Sequence, residues 1–168
     1  TRTGAKSGLI TTKGLRDALE MRRGIREEQY NNRLTNVEPL VPRYLRYTVP
    51  ERLSVGGEIL KALDEETVHN LLPKLEKNGV ESVVIGFLHA YVDDRHEQRA
   101  RDILRAGNSN FSITLSSEVC PEVREYERFT TATANAYVQP LMARYLSRLQ
   151  VALDKRGLAG ALFADLNR

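Results

Sequence analysis

The apolar positions fall into segments of two periods. Gly8–Thr12 (GLITT) is short and apolar and reads as a buried strand. Leu15–Arg22 places Leu15, Ala18, Leu19 and Arg22 at helical spacing, with Gly24 as the stop. From Gly24 to Pro42 the chain is polar and aperiodic, which predicts a long ordered loop of the kind that makes contacts. Tyr44–Val49 alternates. Arg52–Val55 and Glu58–Leu60 flank Gly56-Gly57, a hairpin signal, so this part is expected to be antiparallel. Asp64 is a good N-cap for a helix with Val68, Leu71, Leu72 and Leu75 on one stripe, closed by Asn78-Gly79. Pro73 inside it predicts a kink or a shifted start. Val83–Leu88 is the nearly continuous apolar run of a strand buried on both faces. Asp94 with Glu97 three residues on reads as a capping box, opening a helix to about Ala106, and Phe111–Leu115 as the next strand. Strand, helix, strand in this order implies a right-handed crossover in a partly parallel sheet. In the last third Leu141, Met142, Tyr145, Leu146, Leu149 and Leu153 recur at three- and four-residue steps. Pro140 is expected to divide this helix from an earlier one over Val123–Tyr137, Gly157 to end it, and Leu158–Phe163 to begin a further strand.

The length of 168 residues suffices for one compact domain with a real core, and 41% apolar with 28% charged residues is ordinary globular composition. The longest apolar run, Val83–Leu88, falls far short of the roughly 20 residues of a membrane helix, so no membrane association is expected. No secretory signal opens the chain, and the single Cys120 allows no internal disulfide. Both predict a cytoplasmic protein. The net charge of +3 is uneven: the first fifty residues carry ten Lys/Arg against five Asp/Glu. Without aromatic residues interleaved in an RNA-recognition pattern, these read as solvated helix faces and no nucleic-acid partner is expected. The chain opens without Met and stops just after an apolar run, which predicts a piece of something longer.

Several candidate constellations weaken on inspection. Gly4-Ala5-Lys6-Ser7 lacks the glycine that a P-loop needs directly before its lysine, and a strand follows where a helix should. His89, Asp93, Asp94, His96 and Glu97 resemble a metal cluster on paper. His96 and Glu97 are adjacent, though, and would point about 100° apart on a helix, so no metal site is assigned. His89, just past a buried strand end, fits either a structural role or an active-site edge. Cys120 precedes Pro121 at a loop-to-helix junction and reads as an activated thiol or a plain buried cysteine.

The richest stretch is Ser116–Pro140. Glu118, Glu122, Arg124, Glu125, Glu127 and Arg128 crowd a helix start, followed by Tyr126, Thr130, Thr133 and Tyr137 at roughly helical steps. Acidic residues suit the positive end of the helix dipole, and Arg124 shares a face with Glu127 and Arg128. Thr130-Thr131-Ala132-Thr133 is a poor helix former. Two readings fit: contact with a ligand or another domain, or a buried polar helix start held by ion pairs.

With these residues in view, the sequence resembles the hydantoinase A/5-oxoprolinase family, which includes ATP-dependent N-methylhydantoinases, 5-oxoprolinases and the nucleotide-binding subunits of acetone and acetophenone carboxylases. Four stretches carry the likeness in the family's order: Gly4–Gly24 (GAKSGLITTKGLRDALEMRRG), Pro39–Leu60 (PLVPRYLRYTVPERLSVGGEIL), Gly79–Ala100 (GVESVVIGFLHAYVDDRHEQRA) and Leu115–Pro140 (LSSEVCPEVREYERFTTATANAYVQP).

The resemblance implies an α/β fold, part of a ribonuclease H-like, actin-like ATPase domain, with a mixed sheet, flanking helices and a hairpin insertion. It implies a partial N-terminal domain over about 1–118 running into the start of the hydantoinase A core domain over about 119–168. It implies ATP and Mg²⁺ as cofactors of the intact enzyme, a small cyclic amide as substrate (hydantoin or 5-oxoproline type), and a hydantoinase B-type subunit or domain as partner. The alternatives are the nucleotide-binding subunit of an acetone-type carboxylase and a non-catalytic subunit-interaction module that docks through the Gly24–Pro42 loop. The family's first phosphate-binding turn, Asp-x-Gly-Gly-Thr, has no counterpart here, and the later phosphate and adenosine motifs are expected beyond Arg168. Alone, then, the chain is expected neither to bind ATP tightly nor to turn over substrate. In the intact enzyme Arg124, Glu127, Arg128 and Thr130 are the expected catalytic-cleft residues, and Lys13, Arg16 and Asp17 the expected contacts to the cofactor.

Overall fold

The computed structural model describes residues 3–24, 30–33, 35, 37–108 and 110–157. Four strands form one parallel sheet in the order β2-β1-β5-β6: β1 (Ser7–Thr12), β2 (Arg46–Val49), β5 (Ser82–Gly86) and β6 (Ser112–Leu115). The register pairs Ile10 with Tyr47, Leu9 with Val84, and Val84 with Thr114. Both central strands, β1 and β5, are buried along their whole length, which is why each reads as a continuous apolar run rather than an alternation. A two-stranded antiparallel hairpin, β3 (Arg52–Leu53) and β4 (Ile59–Lys61), stands apart from this sheet.

The predicted hairpin around Gly56-Gly57 is present. Tyr44–Val49 differs from expectation, because it joins the main sheet parallel to β1 instead of pairing with the hairpin. Alternation signals one buried face and says nothing of a strand's direction.

Helices α1 (Ala18–Met21), α2 (Glu65–His69), α3 (Leu72–Lys77), α4 (Arg95–Gly107), α5 (Ser116–Val119) and α6 (Glu125–Asp154) complete the fold. The first is shorter than the periodicity over Leu15–Arg22 suggests. Asp64 caps α2 by accepting from Thr67 N at 2.9 Å. Pro73 separates α2 from α3 by occupying the first turn of α3, where its missing N–H costs nothing. Gly79, at φ +63°, follows α3.

Two further expectations fail. Pro140 lies inside α6, a single helix of 30 residues, so it does not divide two helices. One lost backbone bond is small beside a first half anchored on β5, β6 and β1. The capping box at Asp94 and Glu97 is also absent. Asp94 accepts from Gln98 Nε2 at 2.8 Å, Asp93 takes the Arg95 amide at 3.0 Å, and Glu97 turns inward. The expected strand at Leu158–Phe163 lies outside the described residues, as does part of the Gly24–Pro42 loop.

The core gathers Leu9, Ile10, Val83, Val84, Ile85 and Phe87 from the central strands with Leu75, Leu104, Phe129, Ala132 and Ala136 from the helices. Close approach sets two glycines. A Cβ on Gly86 would stand 2.7 Å from the Phe129 ring, and one on Gly4 would stand 2.3 Å from the Tyr137 ring, so α6 can lie against β5 and the N-terminal segment only where these side chains are missing.

Candidate functional site

Past the C-terminal ends of β1, β5 and β6, where ligands gather in parallel α/β sheets, two polar networks grip the chain as it leaves β5. In the first, Glu97 is fully buried and accepts from Phe87 N (2.9 Å), Ser116 Oγ (2.6 Å), Ser117 N (3.0 Å) and Ser117 Oγ (2.8 Å). Arg128, fully buried too, donates to Ser116 Oγ (3.1 Å), to the Glu122 carbonyl (2.8 Å) and to the Phe87 carbonyl (2.8 Å). Its guanidinium also lies 5.5 Å from the Tyr91 ring centre and 5.3 Å from that of Phe129. The Ser116 hydroxyl thus relays between cation and carboxyl, accepting from Arg128 and donating to Glu97. Burial pushes the Glu97 carboxyl up, against the four donors. Burial likewise lowers Arg128, against the pull of Glu97.

The second network starts at Thr12, whose hydroxyl accepts from Leu88 N (2.9 Å) and donates to buried Glu51. The other Glu51 oxygen meets His96 Nδ1 at 2.9 Å. Between them the networks fix Phe87 and Leu88. His89 follows at φ +61°, edge-on to Tyr91, with its Nδ1 buried and without a hydrogen-bond partner among the described residues.

Beside these networks, α1 and the start of α6 enclose two adjoining clefts. The larger, of 490 Å³, is bounded by Gly14, Leu15, Arg23, Arg124 and Glu127. The smaller, of 220 Å³, is bounded by Leu19, Pro39, Leu40, Thr130 and Thr133. Arg22 and Tyr126 line both. Arg124 caps α6 at φ +89°, a conformation disfavoured for any residue with a Cβ and frequent at functional sites. Arg23 pairs with Glu127 across the larger cleft. Burial opposes ionisation of Glu127. The bonds from its own amide and from Arg23 outweigh that, aided by Arg124, and hold its carboxyl below the usual range.

The structure therefore brings Arg124 and Glu127 to one cleft and Thr130 to its neighbour. Arg128 bounds neither and braces the framework behind them. Asp17 and Arg16 lie in an ion-pair cluster with Arg43. Arg43 donates to Asp17 through Nε (3.0 Å) and a terminal nitrogen (3.1 Å), which holds the Asp17 carboxyl down, and Arg16 reaches it at 3.5 Å. Buried Arg46 ties the same helix through Glu20 at 3.1 Å. Lys13 is exposed, one residue before cleft-lining Gly14. Sequence reasoning missed Thr12, Glu51 and the Glu51–His96 contact. No periodicity marks them, because their partners lie 39 and 45 residues away.

Among the described residues no group of three or more His, Cys, Asp or Glu side chains could hold a metal ion. No described helix is long and apolar enough to cross a membrane.

Known proteins share this architecture. Residues 1–107 match the family profile described as the hydantoinase/oxoprolinase N-terminal region. The caprolactamase alpha subunit of Pseudomonas jessenii is 34% identical over 158 residues, which cover 93% of this chain and 23% of that protein. The crystal structure of the ATP-dependent caprolactamase from the same organism superposes with a TM-score of 0.85 over 90% of this chain and 22% of its own. A nucleotide-free acetone carboxylase structure, 28% identical, superposes with a TM-score of 0.80 over 93% of this chain and 24% of its own. An uncharacterised protein of Methanocaldococcus jannaschii is 38% identical over 94% of this chain and 23% of its own length. The chain thus spans about a quarter of the length of these relatives, and its parallel sheet with flanking helices is of the actin-like ATPase type that the resemblance implies. It belongs to the hydantoinase/oxoprolinase family, as part of that family's N-terminal region.

Proposed function

We propose that this chain forms part of an ATP-dependent enzyme that opens a small cyclic amide, of hydantoin or 5-oxoproline type, and that the paired clefts between α1 and α6 are one wall of its active site. The observation that carries the reading is the match to an ATP-dependent caprolactamase, 34% identical and superposing across 90% of the chain. The relatives include proteins named as subunits, which supports an assembly, with a hydantoinase B-type subunit as the expected partner. ATP would supply the driving force for opening the ring. What the residues of this chain do is bind and orient. Arg124 presents a cation to the larger cleft beside the ionised Glu127, and Thr130 presents a hydroxyl to the smaller one. Arg128 acts one layer back, as a positioning residue. Lys13, Arg16 and Asp17 each adjoin a residue lining the larger cleft, Gly14, Leu15 and Ala18 in turn, and are the proposed cofactor contacts.

A second reading, the nucleotide-binding subunit of an acetone-type carboxylase, is favoured by the acetone carboxylase superposition. One experiment separates the two: ATP hydrolysis by the intact enzyme, assayed with hydantoin, 5-oxoproline and ε-caprolactam, and in parallel with acetone plus bicarbonate. Ring opening coupled to phosphate release is the expected result, and ketone-dependent turnover alone sinks the amide reading. Arg124→Ala should lower kcat/KM at least about ten-fold, equivalent to one lost charge-assisted contact, with an unchanged melting temperature. An unaltered rate would remove the cleft from the active site.

A further inference from the structure

The smaller cleft contains a polar atom that the fold leaves unused. Thr133 is 2% exposed, it lines the cleft, and its Oγ1 is buried with no hydrogen-bond partner among the described residues. A helical threonine ordinarily returns its hydroxyl to the carbonyl four residues back; this one does not. Buried polar groups are nearly always paired, so an orphan hydroxyl on a residue that lines a cleft marks a place for a ligand atom. The surrounding walls are carbon on one side, from Leu19, Pro39 and Leu40, and hydroxyl-bearing on the other, from Tyr126 and Thr130. Arg22 and Glu38, the charged residues among those described at the cleft, bring one charge of each sign, so its lining has no net charge.

Size narrows the occupant further. The volume of 220 Å³ is about seven times the roughly 30 Å³ share of one liquid water, and it lies below the ~300 Å³ at which drug-sized pockets begin. A nucleotide is excluded on size, whereas a molecule of fewer than about ten heavy atoms fits, and a lining without net charge suits an uncharged one. We infer that this cleft holds the ring of a small neutral lactam, its methylene edge against Leu19, Pro39 and Leu40 and its amide at Thr133. There the hydroxyl donates to the ring carbonyl or accepts from the ring N–H. The inference rests on the reading of these clefts as one wall of the active site, and it assigns the substrate's ring to one of the two.

Steady-state kinetics and saturation-transfer NMR on the intact enzyme test it, with 2-pyrrolidinone and ε-caprolactam as probes. Thr133→Val keeps the shape and removes the hydroxyl. It is expected to raise KM and Kd for ε-caprolactam about five- to ten-fold, the weight of one neutral hydrogen bond, with kcat within two-fold. Thr133→Ser, which keeps the hydroxyl, should retain wild-type KM and so separates loss of the hydroxyl from a packing defect. Thr130→Leu narrows the cleft and should weaken the seven-membered ring more than the five-membered one. If the wild type opens lactams while both Thr133→Val and Thr130→Leu leave KM and Kd unchanged, the ring lies elsewhere and the inference falls, with the proposed function intact. Lactam binding that is lost in Thr133→Val but never followed by ring opening upholds the cleft and overturns the proposed function. Neither binding nor opening overturns both.

Discussion

The two halves of α6 are built from one continuous helix and meet opposite fates. The first half, up to Gln139, buries Arg128, Phe129, Ala132, Thr133 and Ala136 against β5, β6 and β1. The second half, from Pro140 on, carries the cleaner apolar repeat, yet Leu141 is 46% exposed, Tyr145 58% and Val151 53%. A hydrophobic stripe ordinarily faces a core, and here the half without one does the packing. The reason lies in the partner surface. Glycine at position 86 and the small residues Ala132, Thr133 and Ala136 let the helix backbone approach the sheet closely, and a row of leucines could not. Periodicity reports which positions share a face; it does not report whether anything stands opposite that face.

The contrast is easiest to break at Arg128. Arg128→Ala removes three hydrogen bonds and leaves Ser116, the Phe87 carbonyl and buried Glu97 without their cation. A loss of about 3–5 kcal/mol in unfolding free energy is expected by denaturant titration; a loss below 1 kcal/mol would mean that the first half is not held by this network. Gly86→Ala comes next. Its methyl would meet the Phe129 ring at 2.7 Å, and the overpacking should cost about 1–3 kcal/mol in the same titration.

A pH series sharpens the picture of Glu97. Its native pKa is raised by burial, so the native state holds a proton that the unfolded chain releases. Stability therefore falls as pH rises from the ordinary carboxylate range toward the raised native value, by at most about 1.4 kcal/mol per pH unit. Because Asp17 and Glu127, held below their usual range, add stability over the start of the same range, the test is the difference between the wild type and Glu97→Gln. From pH 4 upward the wild type should lose stability relative to the variant, and a wild-type-minus-variant difference that stays flat or grows contradicts a protonated Glu97. The smallest effect belongs to the second half of α6. Tyr145→Ser should change stability by no more than about 0.5 kcal/mol, as an exposed side chain does, and a larger loss would show that this half is covered.

Much of the fold was legible because it depends on local order. The buried runs at Gly8–Thr12 and Val83–Leu88, the Asp64 cap and the Gly56-Gly57 turn all act within a few residues and appear where the pattern places them. The direction of β2 was not legible, because alternation is the same for either pairing. Glu97 misled for a related reason: three residues after Asp94 it satisfies a local rule, yet buried donors at Phe87, Ser116 and Ser117 compete for it and prevail. At the candidate site, the density of polar residues at Ser116–Pro140 was visible and its division of labour was not. Arg124, Glu127 and Arg128 look alike as charges on a helix start, but only their rotation about the axis sends two to a cleft and one to the core.

The sequence by itself determined the family, the α/β class and the identity of the strands that form the centre of the sheet, since these follow from residue order and from apolar runs long enough to be buried. The tertiary structure decided everything that depends on what stands opposite a side chain. It paired Thr12 with Glu51 and Glu51 with His96 across spans of 39 and 45 residues, turned Asp17 into an anchor for Arg43, and left the Thr133 hydroxyl buried without a partner among the described residues, beside a cleft. Burial energies and hydrogen bonds depend on neighbours in space, and the chain's order specifies those neighbours only through the completed fold.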